Sequence, residues 1–232
     1  MAWTINGSYA WGTSTINSGT TTNSGFTANV PGTYTIGVTY QGDADHNPAS
    51  ASTTLTITKA PLAVTLTTPS NPASYGTSVT FTAQVVASAT GTITFLDGAT
   101  SIGSGTVSGG IATFTTTSLA AGTHNITAGY SGDANYSAAL SALLPEAITK
   151  ASATVNMTSS FSPSTYGQSV TFTFTATGVL GTPSGTIAIS DGATLLATPT
   201  LNTSGVATFT TANLTVGSHN LTAVYGGDAN YK

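Results

Sequence analysis

A short motif that returns twice constrains this chain more than any other feature of its sequence. The tripeptide Gly-Asp-Ala begins at Gly42, at Gly132 and at Gly227, each time two residues after a tyrosine. The copies are 90 and then 95 residues apart, which indicates one small domain copied in tandem. Such a repeat predicts the architecture of the chain much better than its function.

The second and third copies match along most of their length as strands of alternating polar and apolar residues. The alternation in Ser74–Thr82 and Thr165–Thr173 has the period of half-buried strands. Asp-Gly steps at Asp97 and Asp191 are typical of tight hairpins. The other matching pairs are Gly91–Thr100 with Gly185–Thr194, Ile111–Thr115 with Val206–Thr210, and Gly122–Ala128 with Gly217–Ala223. Without helical periodicity, the chain is predicted to form antiparallel two-sheet Greek-key units of about seven strands.

The order of these motifs resembles a known family. Tyr-Gly-x-x-Val-x-Phe, Gly-Thr-Ile, Asp-Gly, Ala-x-Phe-Thr and Tyr-x-Gly-Asp-Ala-Asn-Tyr follow one another as in the bacterial Ig-like repeats of surface and adhesin-like proteins of bacteria and archaea. The resemblance covers residues 60–232 well and residues 1–58 partly. It implies an all-β fold of tandem immunoglobulin-like Greek-key β-sandwiches and a spacer, stalk or adhesive role. The family has no shared catalytic residues to carry over.

Three units follow from the repeat. Unit 1, residues 1–58, is predicted to be a partial domain lacking its first strands, with Trp3-Thr4-Ile5 at the place of Gly91-Thr92-Ile93. Unit 2, residues 60–149, is predicted to be complete, and unit 3, residues 151–232, to lack its last strand. Two explanations stay open: the sequence is a window of a longer array, or strands are exchanged between chains to build a polymer.

Composition narrows the class of protein. Only 4% of the residues are charged, with three lysines and no arginine, so a basic face for nucleic acid or a membrane surface is not available. Cysteine is absent, which excludes disulfides and thiolate metal sites. There is no apolar run of about 18 residues, so no membrane insertion is predicted. A Thr, Ser, Asn and Gly-rich chain of this kind is predicted to be extracellular or at a cell surface, with no export signal in this stretch.

One repeated loop has oxygen ligands at alternate positions. Asp43, Asp45 and Asn47 match the spacing with which a calcium loop opens. The sister loops have fewer charges and no closing glutamate, so the favoured alternative is a β-turn in which aspartate accepts backbone N–H groups. Calcium at Asp43, Asp45 and Asn47 is the one cofactor hypothesis that the sequence supports.

The histidines at equivalent strand positions offer little chemistry. His124 and His219 correspond to Tyr34 in the first copy, which predicts a half-buried ring packed over the sheet rather than a metal ligand or base. Asp97 and Asp191 are most simply hairpin-turn residues. No catalytic residue is therefore predicted, and the chain is predicted not to be an enzyme.

Two tryptophans occur in unit 1 alone, and they suggest an alternative function. Trp3 and Trp11 are candidate sugar-binding residues, because exposed aromatic rings stack on carbohydrate. The predicted function is a non-catalytic spacer of an extracellular surface protein, as a stalk, an adhesin arm or a strand-exchanged filament subunit. A carbohydrate-binding module is the alternative. The predicted partners are other copies of the chain or neighbouring Ig-like repeats, and cell-surface glycans under the alternative.

Overall fold

The computed structural model describes residues 1–7, 9–24 and 27–232, and for residues 9–11 the backbone alone. The described residues form nineteen β-strands joined by turns and loops, so the predicted all-β fold is confirmed. None of these residues belongs to a helix that could span a membrane. The strands are described below unit by unit, with the bounds that the repeat suggests.

Unit 1 is a single four-stranded sheet in the order β2-β1-β3-β4. Its strands are β1 (Ala2–Ile5), β2 (Tyr9–Thr13), β3 (Gly32–Tyr40) and β4 (Ala49–Ile57). Among the side chains described in residues 1–63, none is buried, because no second sheet covers this one.

The predicted register of the first strand is wrong by four residues. Trp3 pairs with Val38 as Phe95 pairs with Ala128 in unit 2, so Trp3 occupies the place of Phe95 rather than that of Gly91. The strand itself is the predicted one. Three residues of alternating character match a strand in more than one register, and pairing with β3 selects one of them.

Unit 2 is a closed two-sheet sandwich. Its strands are β5 (Thr65–Thr67), β6 (Ala73–Ser74), β7 (Val79–Gln84), β8 (Thr92–Asp97), β9 (Thr100–Thr106), β10 (Ile111–Thr116), β11 (Gly122–Tyr130), β12 (Ala139–Leu140) and β13 (Leu144–Thr149). One sheet has the order β10-β7-β5 and the other β6-β13-β11-β8-β9, with β12 added to β11. The apolar side chains of the alternating strands meet between the sheets, where Phe81, Ile93 and Phe95 are fully buried. Burial of each such side chain contributes about 1.5–3 kcal/mol.

Unit 3 repeats the sandwich around Phe174, Ile187 and Ile189. Its strands are β14 (Thr154–Ser159), β15 (Val170–Thr177), β16 (Ile187–Asp191), β17 (Thr194–Ala197), β18 (Val206–Thr211) and β19 (Leu221–Tyr225). They form the sheets β14-β15-β18 and β17-β16-β19, in which β19 is an edge strand. The two Asp-Gly steps form tight hairpins, as predicted, since Asp97 pairs with Thr100 and Asp191 with Thr194.

Candidate functional site

The aspartate of each repeated loop organises that loop around its carboxylate. Asp133 Oδ1 accepts the backbone N–H groups of Asn135 and Tyr136, both at 2.8 Å. Asp133 Oδ2 accepts the N–H of Thr90 at 2.8 Å and its hydroxyl at 3.2 Å. The corresponding residues in unit 3 are Asp228, Asn230, Tyr231 and Ser184. Each carboxylate thereby fixes the loop and also holds it beside the segment that precedes the neighbouring strand, Thr90 before Thr92–Asp97 in unit 2 and Ser184 before Ile187–Asp191 in unit 3.

These hydrogen bonds favour the charged form of the loop aspartates. The N–H of Thr90 contributes most to lowering the pKa of Asp133 below its ordinary value. Burial opposes the charge of Asp228, but backbone N–H groups, first that of Ser184, outweigh it and lower the pKa of Asp228 to about 2. The loops therefore keep their geometry at neutral pH.

The first loop, for which the sequence suggests calcium binding, has the same hydrogen bonds within the loop. Asp43 Oδ1 accepts the N–H groups of Asp45 at 2.9 Å and His46 at 2.8 Å, and the Tyr40 hydroxyl donates to Oδ2. The hydroxyl of Tyr40 is the first cause that lowers the pKa of Asp43 to about 2. Asp45 and Asn47 are exposed beside it. The geometry is that of a turn, and calcium at these three residues stays a prediction.

Each of the second and third loops also binds the first residue of its own unit. Ala60 donates its N–H to the carbonyl of Asn135 at 2.8 Å, and Ser137 donates to the carbonyl of Ala60 at 3.0 Å. Ala151 makes the same pair of bonds with Asn230 and Lys232, both at 2.9 Å. The loop thus lies at the end of its unit that faces the preceding unit.

The third loop crosses the junction and contacts unit 2. Asn230 Oδ1 accepts the N–H of Ala121 at 2.9 Å. The rings of Tyr75 and Tyr231 meet edge to face, with 5.4 Å between their centroids and 90° between their planes. The Tyr231 hydroxyl also accepts the N–H of Leu180 at 2.9 Å, and Tyr231 is only 2% exposed. One loop thereby joins the two sandwiches through a hydrogen bond and a buried ring.

A glycine permits the two backbones to approach at this junction. Gly76 has φ +80°, and a Cβ atom placed on it would lie 2.8 Å from Val179 Cγ2 and 3.1 Å from Leu180 Cβ. Its equivalent in unit 3, Gly167, has φ +79° and nothing within 4 Å of that position. Both glycines serve the turn, and Gly76 also serves the contact between units.

The second loop is less covered than the third. Asn135 is exposed and Tyr136 is half-buried, with its hydroxyl bonded to Ser88 of its own unit at 2.9 Å. Position 31 of unit 1, which corresponds to Ala121, is proline. Because proline has no N–H to donate, Asn135 cannot make the bond to Pro31 that Asn230 makes to Ala121.

An aspartate–histidine pair recurs in both sandwiches. His124 Nδ1 lies 2.6 Å from Asp97 Oδ2, and His124 Nε2 lies 2.8 Å from the carbonyl of Ala120. His219 has the same surroundings, with Asp191 and Thr215 at 2.6 and 2.9 Å. In unit 1 the hydroxyl of Tyr34 donates to the carbonyl of Val30 instead.

The pairs are structural clamps rather than proton-transfer devices. Both ring nitrogens of each histidine face acceptors, which suits the doubly protonated imidazolium and leaves neither nitrogen to act as a base. Burial opposes the charge of His124, but the bonds to Asp97 and Ala120 outweigh it and raise its pKa. The carbonyl of Thr215 and then Asp191 raise the pKa of His219.

Sequence reasoning placed these aspartates in hairpin turns and missed their second role. The sequence contained one signal for this second role. The two copies that have a histidine at this position also have the aspartate, 27 residues before His124 and 28 residues before His219.

The two candidate sugar-binding residues differ in what can be described. Trp3 is half-buried, and its indole N–H donates to Ser14 Oγ at 2.9 Å. The side chain of Trp11 lies outside the described residues. Sugar binding by Trp3 and Trp11 stays a prediction.

Comparison with known proteins supports the fold of units 2 and 3. The bacterial Ig-like domain (group 3) family matches residues 66–149 and 157–232. A solved structure of Clostridium thermocellum CbhA fibronectin(III)-like modules is 17% identical over 72% of this chain and 87% of that one, with a TM-score of 0.29. No curated protein matches. Because two tandem matches to this family cover more than half of the residues of the chain, this chain belongs to the bacterial Ig-like domain family, group 3.

Proposed function

We propose that this chain is a non-catalytic spacer of an extracellular surface protein, which holds other domains at a distance as part of a stalk or adhesin arm. The observation that carries the proposal is the junction between units 2 and 3. Strand β13 ends at Thr149, and Ala151 is already bonded to the loop of unit 3, so a single residue, Lys150, separates the two sandwiches.

Contacts on this linker restrict bending further. The Lys150 ammonium group donates to the carbonyl of Asp228 in the unit 3 loop. The same loop presents Asn230 and Tyr231 to unit 2. To bend, the junction would have to break the Ala121 bond and expose the ring of Tyr231. A junction of this kind transmits a fixed orientation from one module to the next, which a spacer requires.

Composition supports the extracellular location that we propose. Solubility in a chain with only 4% charged residues comes from threonine, serine and asparagine, with no cysteine to oxidise. The non-catalytic character rests on the clamps, since His124 and His219 use both ring nitrogens in structural bonds. A filament assembled from such units is a further form of the same proposal.

One observation favours carbohydrate binding as a second candidate function. A hollow of about 720 Å³ lies in unit 1, lined by hydroxyl and amide side chains that include Ser14, Asn17 and Thr21. Ser14 also accepts the indole N–H of Trp3. A pull-down with insoluble polysaccharides tests this candidate: retention that is lost in Trp3→Ala would support it, and equal elution of both proteins would contradict it.

Small-angle X-ray scattering on the full chain tests the spacer function. We expect units 2 and 3 to scatter as one elongated body with a fixed separation between their centres. The double variant Tyr75→Ala with Asn230→Ala removes the ring contact and the Asn230–Ala121 hydrogen bond across the junction, and should give an ensemble of separations. The proposal fails if the unmodified chain already requires such an ensemble for units 2 and 3.

A further inference from the structure

Strand β13 carries the only glutamate of the chain, and its side chain is buried inside unit 2. Glu146 is 0% exposed, whereas its neighbours in the strand, Pro145 and Ala147, reach the surface. Both carboxyl oxygens are buried without a hydrogen-bond partner among the described residues. Because an unpaired carboxylate is very costly to bury, this position favours the neutral carboxylic acid.

The histidine opposite Glu146 attracts the carboxyl group but does not bind it. His124 lies across the β11–β13 ladder from Glu146. Its Nδ1 is 2.6 Å from Asp97 Oδ2 and its Nε2 is 2.8 Å from the carbonyl of Ala120, so neither ring N–H is left for Glu146. Asp97 also balances the charge of the imidazolium. Glu146 therefore gains less from this neighbour than a direct ion pair would give it.

The other elements of unit 2 bring no compensating charge to Glu146. Asp97 on β8 and Tyr130 on β11 are the only further titratable side chains on its strands besides His124. The remaining titratable residues lie in the linkers and loops: Lys59, Tyr75, Asp133, Tyr136 and Lys150. Among the described residues, burial raises the pKa of Glu146 and the charge of His124 alone opposes that shift.

The edge of β13 that faces away from β11 is held by few bonds. Asn71 takes the place of a paired strand there, because its side-chain amide bonds the main chain of Pro145 at 2.6 Å and that of Ala147 at 3.1 Å. Strand β6 pairs with β13 over two residues only. Such a strand can separate from the sandwich at a lower cost than the central strands.

The position of β13 also affects the junction with unit 3. The carbonyl of Thr149, its last residue, accepts the N–H of Tyr75 at 2.9 Å. The ring of Tyr75 is the one that meets Tyr231 of the unit 3 loop. Lys150, the single linker residue, follows Thr149 directly. Separation of β13 would therefore release two of the groups that hold the junction.

We propose that Glu146 is a proton-operated latch on strand β13, which keeps the strand in the sandwich while its carboxyl group is protonated and lets it open more often as the pH rises. When β13 opens, the carboxyl group reaches water and gives its proton to the solvent. The open form then binds one proton fewer than the closed form. Its population therefore rises by up to about tenfold per pH unit above the ordinary glutamate pKa of about 4.3. The raised pKa of Glu146 in the closed form sets the upper end of this pH window.

This latch deepens the spacer function and rests on it for its consequence, which is a pH-dependent hold on the junction. The two can fail separately. The titration of Glu146 is measured within unit 2, whereas scattering measures the orientation of units 2 and 3.

Carbon NMR on the full chain measures the titration without any substitution. Because Glu146 is the only glutamate, labelling glutamate with carbon-13 at its side-chain carboxyl carbon gives a single signal. We expect the midpoint of its titration above the ordinary value of about 4.3. A midpoint at or below that value would overturn the proposal, since the carboxylate would then be hydrated or paired in the folded chain.

Hydrogen exchange measured by mass spectrometry reports on the opening of β13. Glu146→Gln is the matched variant, because its side chain has the same shape and cannot ionise. Comparing the two proteins at each pH cancels the intrinsic effect of pH on exchange. For residues 122–126 and 144–149 we expect equal rates at about pH 4, and rates at least about tenfold faster in the unmodified chain at about pH 7.5. Residues 206–211 of unit 3 are the internal control and should exchange alike in both proteins.

Two outcomes of the exchange experiment would overturn the latch. The first is a ratio of rates for residues 122–126 that does not change with pH. The second is exchange of residues 79–84, in the opposite sheet, at the same rate as residues 122–126. That result would mean that the whole sandwich opens rather than β13.

Discussion

The two junctions of this chain share a linker and a loop but differ in what the preceding unit presents to them. Thr58-Lys59-Ala60 and Thr149-Lys150-Ala151 have the same sequence, and both alanines bond to the following unit's Asp-Ala-Asn-Tyr loop. At the second junction that loop also reaches back to Ala121 and Tyr75. At the first, Pro31 replaces Ala121.

The rigidity of a junction therefore depends on what the preceding unit presents to the loop and not on the linker. The loop is fixed by its own aspartate in both places, since Asp133 and Asp228 make the same four bonds. Unit 2 offers the loop the N–H of Ala121 and the ring of Tyr75. Unit 1 has Pro31, which has no N–H to donate, at the place of Ala121.

Tyr231→Ala should have the largest effect. It removes a ring that is 2% exposed, and such deletions cost about 3–5 kcal/mol of unfolding free energy. Tyr136→Ala, its match at the other junction, should cost clearly less because that ring is half-buried. Hydrogen exchange of each sandwich measures both losses. Equal losses of unfolding free energy in Tyr231→Ala and Tyr136→Ala would contradict the proposed difference between the two junctions.

Gly76→Ala should have the next largest effect, and Gly167→Ala is its control. Both substitutions place a side chain at φ near +80°, so both carry the same backbone strain, about 1 kcal/mol. Only Gly76→Ala also creates a Cβ contact of 2.8 Å with Val179. The excess destabilisation in Gly76→Ala, from denaturant unfolding, therefore measures the packing at the junction. The account is wrong if the two variants unfold alike.

Asn230→Ala removes one hydrogen bond across the second junction. The expected loss is about 0.5–1.5 kcal/mol of the coupling between units 2 and 3. Asn135→Ala changes the same position of the first junction, where the N–H partner is replaced by Pro31, and should leave the coupling between units 1 and 2 unchanged. Differential scanning calorimetry should show units 2 and 3 of Asn230→Ala separating into less cooperative transitions. A loss of cooperativity in Asn135→Ala as well would contradict the account.

The smallest effect concerns pH, and it compares the two sandwiches. The raised pKa values of His124 and His219 mean that their clamps stabilise fully below the ordinary histidine pKa of about 6.5 and weaken as pH rises through the folded-state value. Glu146 beside His124 has a pKa raised by burial, and it acts in the same direction in unit 2.

The melting temperature of both sandwiches should therefore fall between about pH 5.5 and pH 8.5. His124→Gln should flatten the slope of unit 2 alone, and His219→Gln that of unit 3 alone. A slope that survives both substitutions, or a stability that rises with pH, would refute the clamp.

The sequence predicted what depends on local pattern. Alternation in Ser74–Thr82 correctly places Val79–Thr82 in β7, because period two is a property of the strand itself. The first part of that predicted strand is wrong, since Tyr75 and Gly76 form a turn between β6 and β7. The Asp-Gly step at Asp97 is sufficient to place a hairpin. Both features rest on residues that are neighbours in the chain.

What the sequence did not predict depends on partners that are distant in the chain. Asp97 and His124 are 27 residues apart, and Ala121 and Asn230 are 109 apart. The register of Trp3 was wrong because its pairing is decided by Val38 on another strand. Such contacts follow from topology, which a pattern within one strand does not contain.

Distance measurement between spin labels across both junctions tests the central claim most directly. The chain has no cysteine, so cysteines at the exposed positions Thr54, Thr113 and Thr208 can be labelled in pairs without background. The account predicts a narrow, single distribution for Thr113 with Thr208 across the second junction, and a broader one for Thr54 with Thr113 across the first. Distributions of equal width, or a narrower one across the first junction, would contradict it.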